Sequence, residues 1–344
     1  MKRVLSVIED KLTVIIPTHE RSNYLRRALE YWENCPYHLM IVDSSKLAFQ
    51  NIPKKCEYLH LPGKTFVEKI TLALQQLKTP FVAMCPDDDF HSFASLKDCA
   101  LFLQQNAEYA SVHGHYISFL QQANGLQFSI TYNNIHGYEL ISDDPEQRIA
   151  DAMHRYVIQL WAVHRKEYLL KALDACQGIS NDRAVELTIA LVPMMYGKHK
   201  VLPMFYSARE RLPDSWGVTE PPLLQWLSSP EKSNEVHNWK VNLAKLLSDS
   251  TGKAFETCFQ TIDQAIGGYV KVLSDSHHRS QRILQIRKYI PEYILQIRRK
   301  LLKRDAAVNE NIEGYPWSDP KANEVWQRME AVILKHGCLY ETEK

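Results

Sequence analysis

Glycine is scarce, 12 residues in 344, and no G-x-G-x-x-G or G-x-x-x-x-G-K-[ST] occurs. The two common glycine-built phosphate loops, in which bare backbone cradles a pyrophosphate, are therefore excluded. Cysteine is used seven times (Cys35, Cys56, Cys85, Cys99, Cys176, Cys258, Cys338), never as C-x-x-C. Scattered and odd in number, these are expected to be reduced thiols of a cytoplasmic protein rather than a disulfide framework. Long apolar runs are missing. Nothing approaches the roughly 18 residues of a membrane span, and residues 1–10 lack the apolar stretch of a secretory leader. Charge excess is missing as well: 41 basic residues against 40 acidic ones give a net charge of +1, so no global field points to nucleic acid. What remains is an ordinary globular composition, 45% hydrophobic and 24% charged, long enough for one large or two moderate domains.

The first third alternates strands and helices. Leu12-Thr13-Val14-Ile15-Ile16-Pro17 is a β-branched run suited to a central parallel strand. Ser22 or Asn23 is expected to cap a helix through Leu25, Ala28, Leu29 and Trp32. A second strand, His38 to Val42, ends at Asp43, and a weaker third spans 56–61. Phe66, Ile70, Leu74 and Leu77 form the apolar stripe of a helix. The fourth strand, 81–85, runs into Pro86-Asp87-Asp88-Asp89-Phe90. The order β-α-β-β-α-β predicts an α/β fold with a mostly parallel sheet. In such a sheet these strand ends share one rim, where open α/β folds bind ligands. Three adjacent aspartates repel one another, and a hard divalent cation, Mn²⁺ or Mg²⁺, is the simplest compensation; such ions commonly bind substrate phosphates too.

The ordered set Val14-Ile15-Ile16-Pro17-Thr18-His19-Glu20-Arg21, Ile41-Val42-Asp43-Ser44-Ser45 and Asp87-Asp88-Asp89 resembles the nucleotide-sugar half of glycosyltransferase family 2, whose fold is GT-A. The family patterns are I-P-T-Y-N-R, V-D-D-G-S and D-x-D. This chain departs at His19-Glu20, at Ser44-Ser45, and at Glu68-Lys69-Ile70, where the family has A-R-N. The resemblance implies a metal-dependent, inverting transfer of a sugar from a nucleoside diphosphate, UDP first, to a hydroxyl on a glycan or lipid-linked acceptor. It implies that Pro17, Thr18 and Glu20 line the nucleotide pocket, that Asp43 accepts a hydrogen bond from the base, and that Arg21 faces a phosphate. Lys69 would stand in for the family arginine. Asp87 would contact the ribose or sugar, and Asp88 and Asp89 would lie nearest the metal.

Strands at 109–119, 126–132, 157–164 and 200–206 and helices at 144–156 and 165–175 are expected on the acceptor side. His113 and His115 read as the polar face of a strand. Ser180 or Asn181 can cap a helix carrying Asp182 and Glu186 on one face. An inverting transfer needs a carboxylate base for the acceptor hydroxyl, and family 2 places it at such a helix start. Asp182 is the first choice and Glu186 the second. Arg209, Arg211 and Trp216 fall in a polar, aromatic loop, 209–217, that could close on the diphosphate or acceptor. Pro221-Pro222 marks a boundary. The expected division is a catalytic domain over 1–220 (nucleotide-sugar side 10–120, acceptor side 121–220) and an α-helical domain over 221–344. Residues 279–304 hold nine basic residues and one acid, Glu292, the composition of a helix that can lie peripherally on an anionic membrane face. Two other functions fit less: a nucleotidyltransferase, which lacks its triphosphate loop here, and a non-catalytic binding protein on a GT-A fold.

Overall fold

The computed structural model describes residues 8–122, 125–131, 135–212, 223–287 and 315–339. Among these are ten strands and ten α-helices. Strand β1 (Leu12–Thr18) is buried along its whole length. It pairs in parallel with β2 (His38–Asp43) on one side and β4 (Phe81–Met84) on the other, and β2 pairs in parallel with β3 (Cys56–His60). A strand covered on both faces requires an unbroken apolar run, which is what residues 12–17 supply. The short β9 (Val163–Arg165) runs antiparallel to both β4 and the long β6 (Tyr109–Gln122). It thereby joins the first half of the sheet to a second parallel pair, β6 with β10 (Lys198–Glu210). The order is β3-β2-β1-β4-β9-β6-β10-β5, with β5 at Phe90–His91; β7 (Gly125–Thr131) pairs with β6 and β8 (Glu139–Leu140) with β10. The longer ladders are mostly parallel, as the strand–helix alternation predicts.

Helix α1 (Ser22–Tyr31) follows β1, α2 (Phe66–Gln76) follows β3, and α3 (Phe93–Gln105) follows β5. A capping box at Thr65 and Glu68 starts α2: the Thr65 hydroxyl accepts from the Glu68 amide and the Glu68 carboxylate accepts from the Thr65 amide. In the second half of the sheet's chain lie α4 (Pro145–His154), α5 (Lys166–Ala175) and α6 (Asp182–Tyr196). Then come α7 (Leu223–Ser228), α8 (Ser233–Thr251), α9 (Phe255–Arg287) and α10 (Pro320–His336). These late helices share the sheet's apolar core through Trp239, Leu243, Ile262, Trp326 and Ile333. Helix α10 also rests on α1, where Lys335 and His336 meet Glu30 and Arg328 donates to the Tyr31 carbonyl.

Four expectations change. Arg21, not Ser22 or Asn23, is the residue at the start of α1, and no side chain caps that end; the Arg21 guanidinium is drawn away to aspartates instead. Residues 157–162 are not strand but buried irregular chain, and only 163–165 pair with the sheet. An apolar run cannot by itself say whether it is strand or packed loop. Arg209 and Glu210 lie in β10, not in a loop. His113 and His115 are buried, not on a polar face. Trp216, the Pro221-Pro222 boundary and most of the basic segment 279–304 lie outside the described residues.

Candidate active site

The carboxyl ends of β1, β2 and β4 converge on one cleft of about 740 Å³. Pro17 and Thr18 border it from the end of β1, Arg21 from just beyond, and Asp87, Asp88 and Asp89 from the turn after β4. All three aspartates are buried, and each has a cation beside it. The Thr18 hydroxyl donates to Asp87 Oδ2 at 2.6 Å, and Arg21 Nη1 lies 2.9 Å from Asp87 Oδ1. Arg21 Nη2 lies 3.0 Å from Asp88 Oδ2, with the guanidinium over the Tyr24 ring at 4.1 Å. Arg209 Nε donates to Asp89 Oδ2 and the Glu210 amide to Asp89 Oδ1, both at 3.0 Å. Arg27, fully buried, pairs with Glu210 and reaches the Asp88 carbonyl. Much of the compensation that the aspartates need thus comes from arginines of α1 and β10, which their spacing in the sequence does not show.

Burial pushes Asp87 and Asp89 up to about 7, against the pull of Arg21 on the first and Arg209 on the second. For Arg21, burial works against the charge, but Asp88 and Asp87 outweigh it and hold its pKa above the usual arginine value. Lys69 sends its Nζ under β1 to the Thr18 carbonyl at 2.6 Å and the Ser44 hydroxyl at 3.1 Å. Burial lowers Lys69 to about 8, with Asp87 and Asp43 opposing. It borders the cleft with a proton that a bound anion would retain.

Asp43 and Glu20 do not line the cleft; they build its floor. Asp43 Oδ1 accepts from the Ser45 amide and Oδ2 from the Tyr58 hydroxyl. Glu20 adopts φ 53°, donates its amide to the Ser45 hydroxyl, and accepts from the Lys46 amide. Between them they fix the 43–46 turn that presents Ser44 to the cleft.

The cleft is also lined from α6 and from the stretch before β9. Glu186, on the second turn of α6, borders the cleft and is 6% exposed. The Asn181 side chain caps α6 by accepting from the Ala184 amide. Asp182 shares that helix but does not line the cleft. Glu186 Oε1 accepts from the Tyr156 hydroxyl at 2.7 Å, and Arg183 Nη1 straddles both carboxylate oxygens at 2.9 Å. Arg209 and Arg211 line the cleft from β10 and just beyond it. Trp161, Leu160 and Ile158 line it too, from the stretch whose apolar run reads as a strand. Arg183 also reaches the cleft, and its i, i+3 spacing to Glu186 is the one signal that could have found it.

A divalent cation of the kind the aspartates suggest takes oxygen ligands, commonly one or two carboxylates completed by phosphate and water. Asp88 and Asp89 both border the cleft and supply two hard donors, so the residues fit such an ion when a phosphate completes its shell. Among the described residues, no three His, Cys, Asp or Glu side chains are arranged to hold a metal by themselves.

No protein-family model matches the chain, and no curated protein matches it. Solved structures with a similar fold include TarS of S. aureus. The full TarS structure is 14% identical, with a TM-score of 0.40 over 75% of this chain, and the alignment spans 54% of the TarS length. TarS 1–349 in complex with UDP-GlcNAc is 12% identical with a TM-score of 0.42, and its UDP complex is 14% identical with a TM-score of 0.37; each alignment covers 78% of this chain and 92% of the other. Likeness at this level fixes neither ligand nor reaction.

Proposed function

We propose that this chain is a glycosyltransferase that moves a sugar, with inversion, from a nucleoside diphosphate to a hydroxyl group. The observation that carries the reading is that one cleft is lined both by the Asp87–Asp89 rim of the parallel sheet and by Glu186 of α6, held by Tyr156 and Arg183. The floor at Ser44, over Asp43 and Tyr58, would receive the base and ribose. Lys69, Arg209 and Arg211 supply positive charge to the diphosphate as it leaves. A divalent ion held by Asp88 and Asp89 would add further charge to the leaving diphosphate. Of the carboxylates on the cleft, Glu186 is the one outside the Asp87–Asp89 rim and its Arg27–Glu210 support, and in this reading it takes the proton of an acceptor hydroxyl; that oxygen then attacks the anomeric carbon on the face opposite the diphosphate, which accounts for inversion. The reading prefers Glu186 to Asp182 because only Glu186 lines the cleft. UDP-sugars, among them UDP-GlcNAc, are the first donors to test, with a glycan or lipid-linked alcohol as acceptor.

The test is UDP release from a panel of UDP-sugars with Mn²⁺ or Mg²⁺. The double variant Asp88→Asn, Asp89→Asn is expected to lose at least about 100-fold in metal-stimulated turnover, and chelation of the metal should do the same to the unaltered protein. Turnover unchanged in that variant would sink the reading. Protection against thermal unfolding by UDP with Mn²⁺, exceeding that by UTP, separates it from a nucleotidyltransferase.

A further inference from the structure

Glu186 is held in a defined orientation. Oε1 carries two hydrogen bonds, from the Tyr156 hydroxyl and Arg183 Nη1, while among the described residues Oε2 carries only the Arg183 bond. A carboxylate oxygen offers two lone pairs, so Oε2 retains one to take a proton. Tyr156 follows α4, just past the Arg155 C-cap, in the irregular stretch that runs on to Trp161. It is half-buried, and its ring meets the ring of Tyr269 at 5.6 Å between centroids and 59° between planes. Tyr269 is 8% exposed and belongs to α9, which packs along α4 and α8. The chain of contacts therefore runs from the C-terminal helical region, through two tyrosines, to a carboxylate on the cleft wall.

We propose that the helical region completes the active site: Tyr269 backs Tyr156, and the Tyr156 hydroxyl aims the Glu186 carboxylate so that Oε2 faces the acceptor. Tyr156 and Tyr269 are positioning residues in this scheme. The proposal rests on the reading of Glu186 as the base. Its physical basis is that a misaimed base costs turnover without weakening donor binding, because neither tyrosine borders the cleft that would hold the donor.

The experiment compares Glu186→Gln, Tyr156→Phe, Tyr269→Ala and Tyr269→Phe in the full chain. Activity is UDP release from the most active donor of the UDP-sugar panel, and UDP affinity is measured separately by calorimetry. Tyr156→Phe and Tyr269→Ala are expected to lower kcat about tenfold or more with donor KM within about twofold. Their UDP affinity should be unchanged, and Tyr269→Phe, which keeps the ring contact, should restore kcat. Full activity of Tyr156→Phe and Tyr269→Ala beside an inactive Glu186→Gln overturns the positioning role alone. Full activity of Glu186→Gln overturns the assignment of the base and the positioning role with it. A chain with no turnover on any donor overturns the transferase reading as well. Loss of UDP affinity and kcat together, without rescue by Tyr269→Phe, marks a merely structural contact and also overturns the proposal.

Discussion

Arg27 and Glu210 stand 183 positions apart in sequence, yet their side chains pair with almost no access to water. A buried ion pair adds little net stability over an apolar pair of the same size, but removing one partner strands the other charge. Arg27 is especially exposed to this effect, because its Nε and Nη1 have no hydrogen-bond partner among the described residues. Glu210→Ala is therefore expected to cost about 3–5 kcal/mol, measured by urea unfolding, and Arg27→Met with Glu210→Leu together should recover most of it. Nothing in the sequence marks this pair, for Arg27 reads as an ordinary arginine of α1. The family resemblance implies that Arg21 faces a phosphate; its grip on Asp87 and Asp88 was not legible, since side-chain partners across 66 and 67 residues leave no periodic trace.

At the scale of elements, β10 carries the most information that its sequence conceals. Its ladder with β6 pairs Val201 with His113 and Phe205 with His115, so residues 202–204 bulge opposite the single residue Gly114. Pro203 sits in that bulge, where a missing amide hydrogen breaks no ladder bond. A Cβ on Gly114 would meet the Met204 carbonyl oxygen at 2.4 Å, and that atom is backbone that cannot swing aside. Gly114→Ala should thus destabilise by about 1–3 kcal/mol, read as a lower thermal midpoint. The irregular register also lets the end of β10 bring Arg209 and Glu210 to Asp89. The strand itself was readable from Lys200 to Tyr206. Its bulges and its extension to Glu210 were not, because bulges answer to the partner strand rather than to local pattern. Residues 157–162 show the same limit, since Ile158, Leu160 and Trp161 line the cleft without joining the sheet.

Across the molecule, buried histidines tie stability to pH. His113, His164 and His199 share the interior at β6, β9 and β10. Burial is the main cause that lowers His113 to about 3 and His164 to about 4, and it holds His199 well below the ordinary value. Between those values and about 6.5 the unfolded chain binds protons that the folded one does not, so stability must fall as pH drops through that window. Unfolding free energy should be nearly level with respect to these groups above about pH 7 and decline towards pH 4. His113→Gln should make the decline shallower, as seen in urea midpoints taken across pH. No described helix is long and apolar enough to cross a membrane, and the late helices bury their stripes against α1, α4 and α6 rather than standing apart.

The sequence by itself determined the α/β class, the four strands of the first half, and the set of acids and small residues at their ends. Those features follow from local rules: apolar runs make strands, 3.6-residue periods make helices, and parallel strands align their ends on one rim. Only the tertiary structure decided what faces what. It turned Asp43 and Glu20 into floor, set Glu186 rather than Asp182 on the cleft, compensated the three aspartates with arginines from α1 and β10, and brought Tyr269 of the helical region against Tyr156. Each of these depends on contacts between segments far apart in the chain, and the energies that select them are summed over the packed whole.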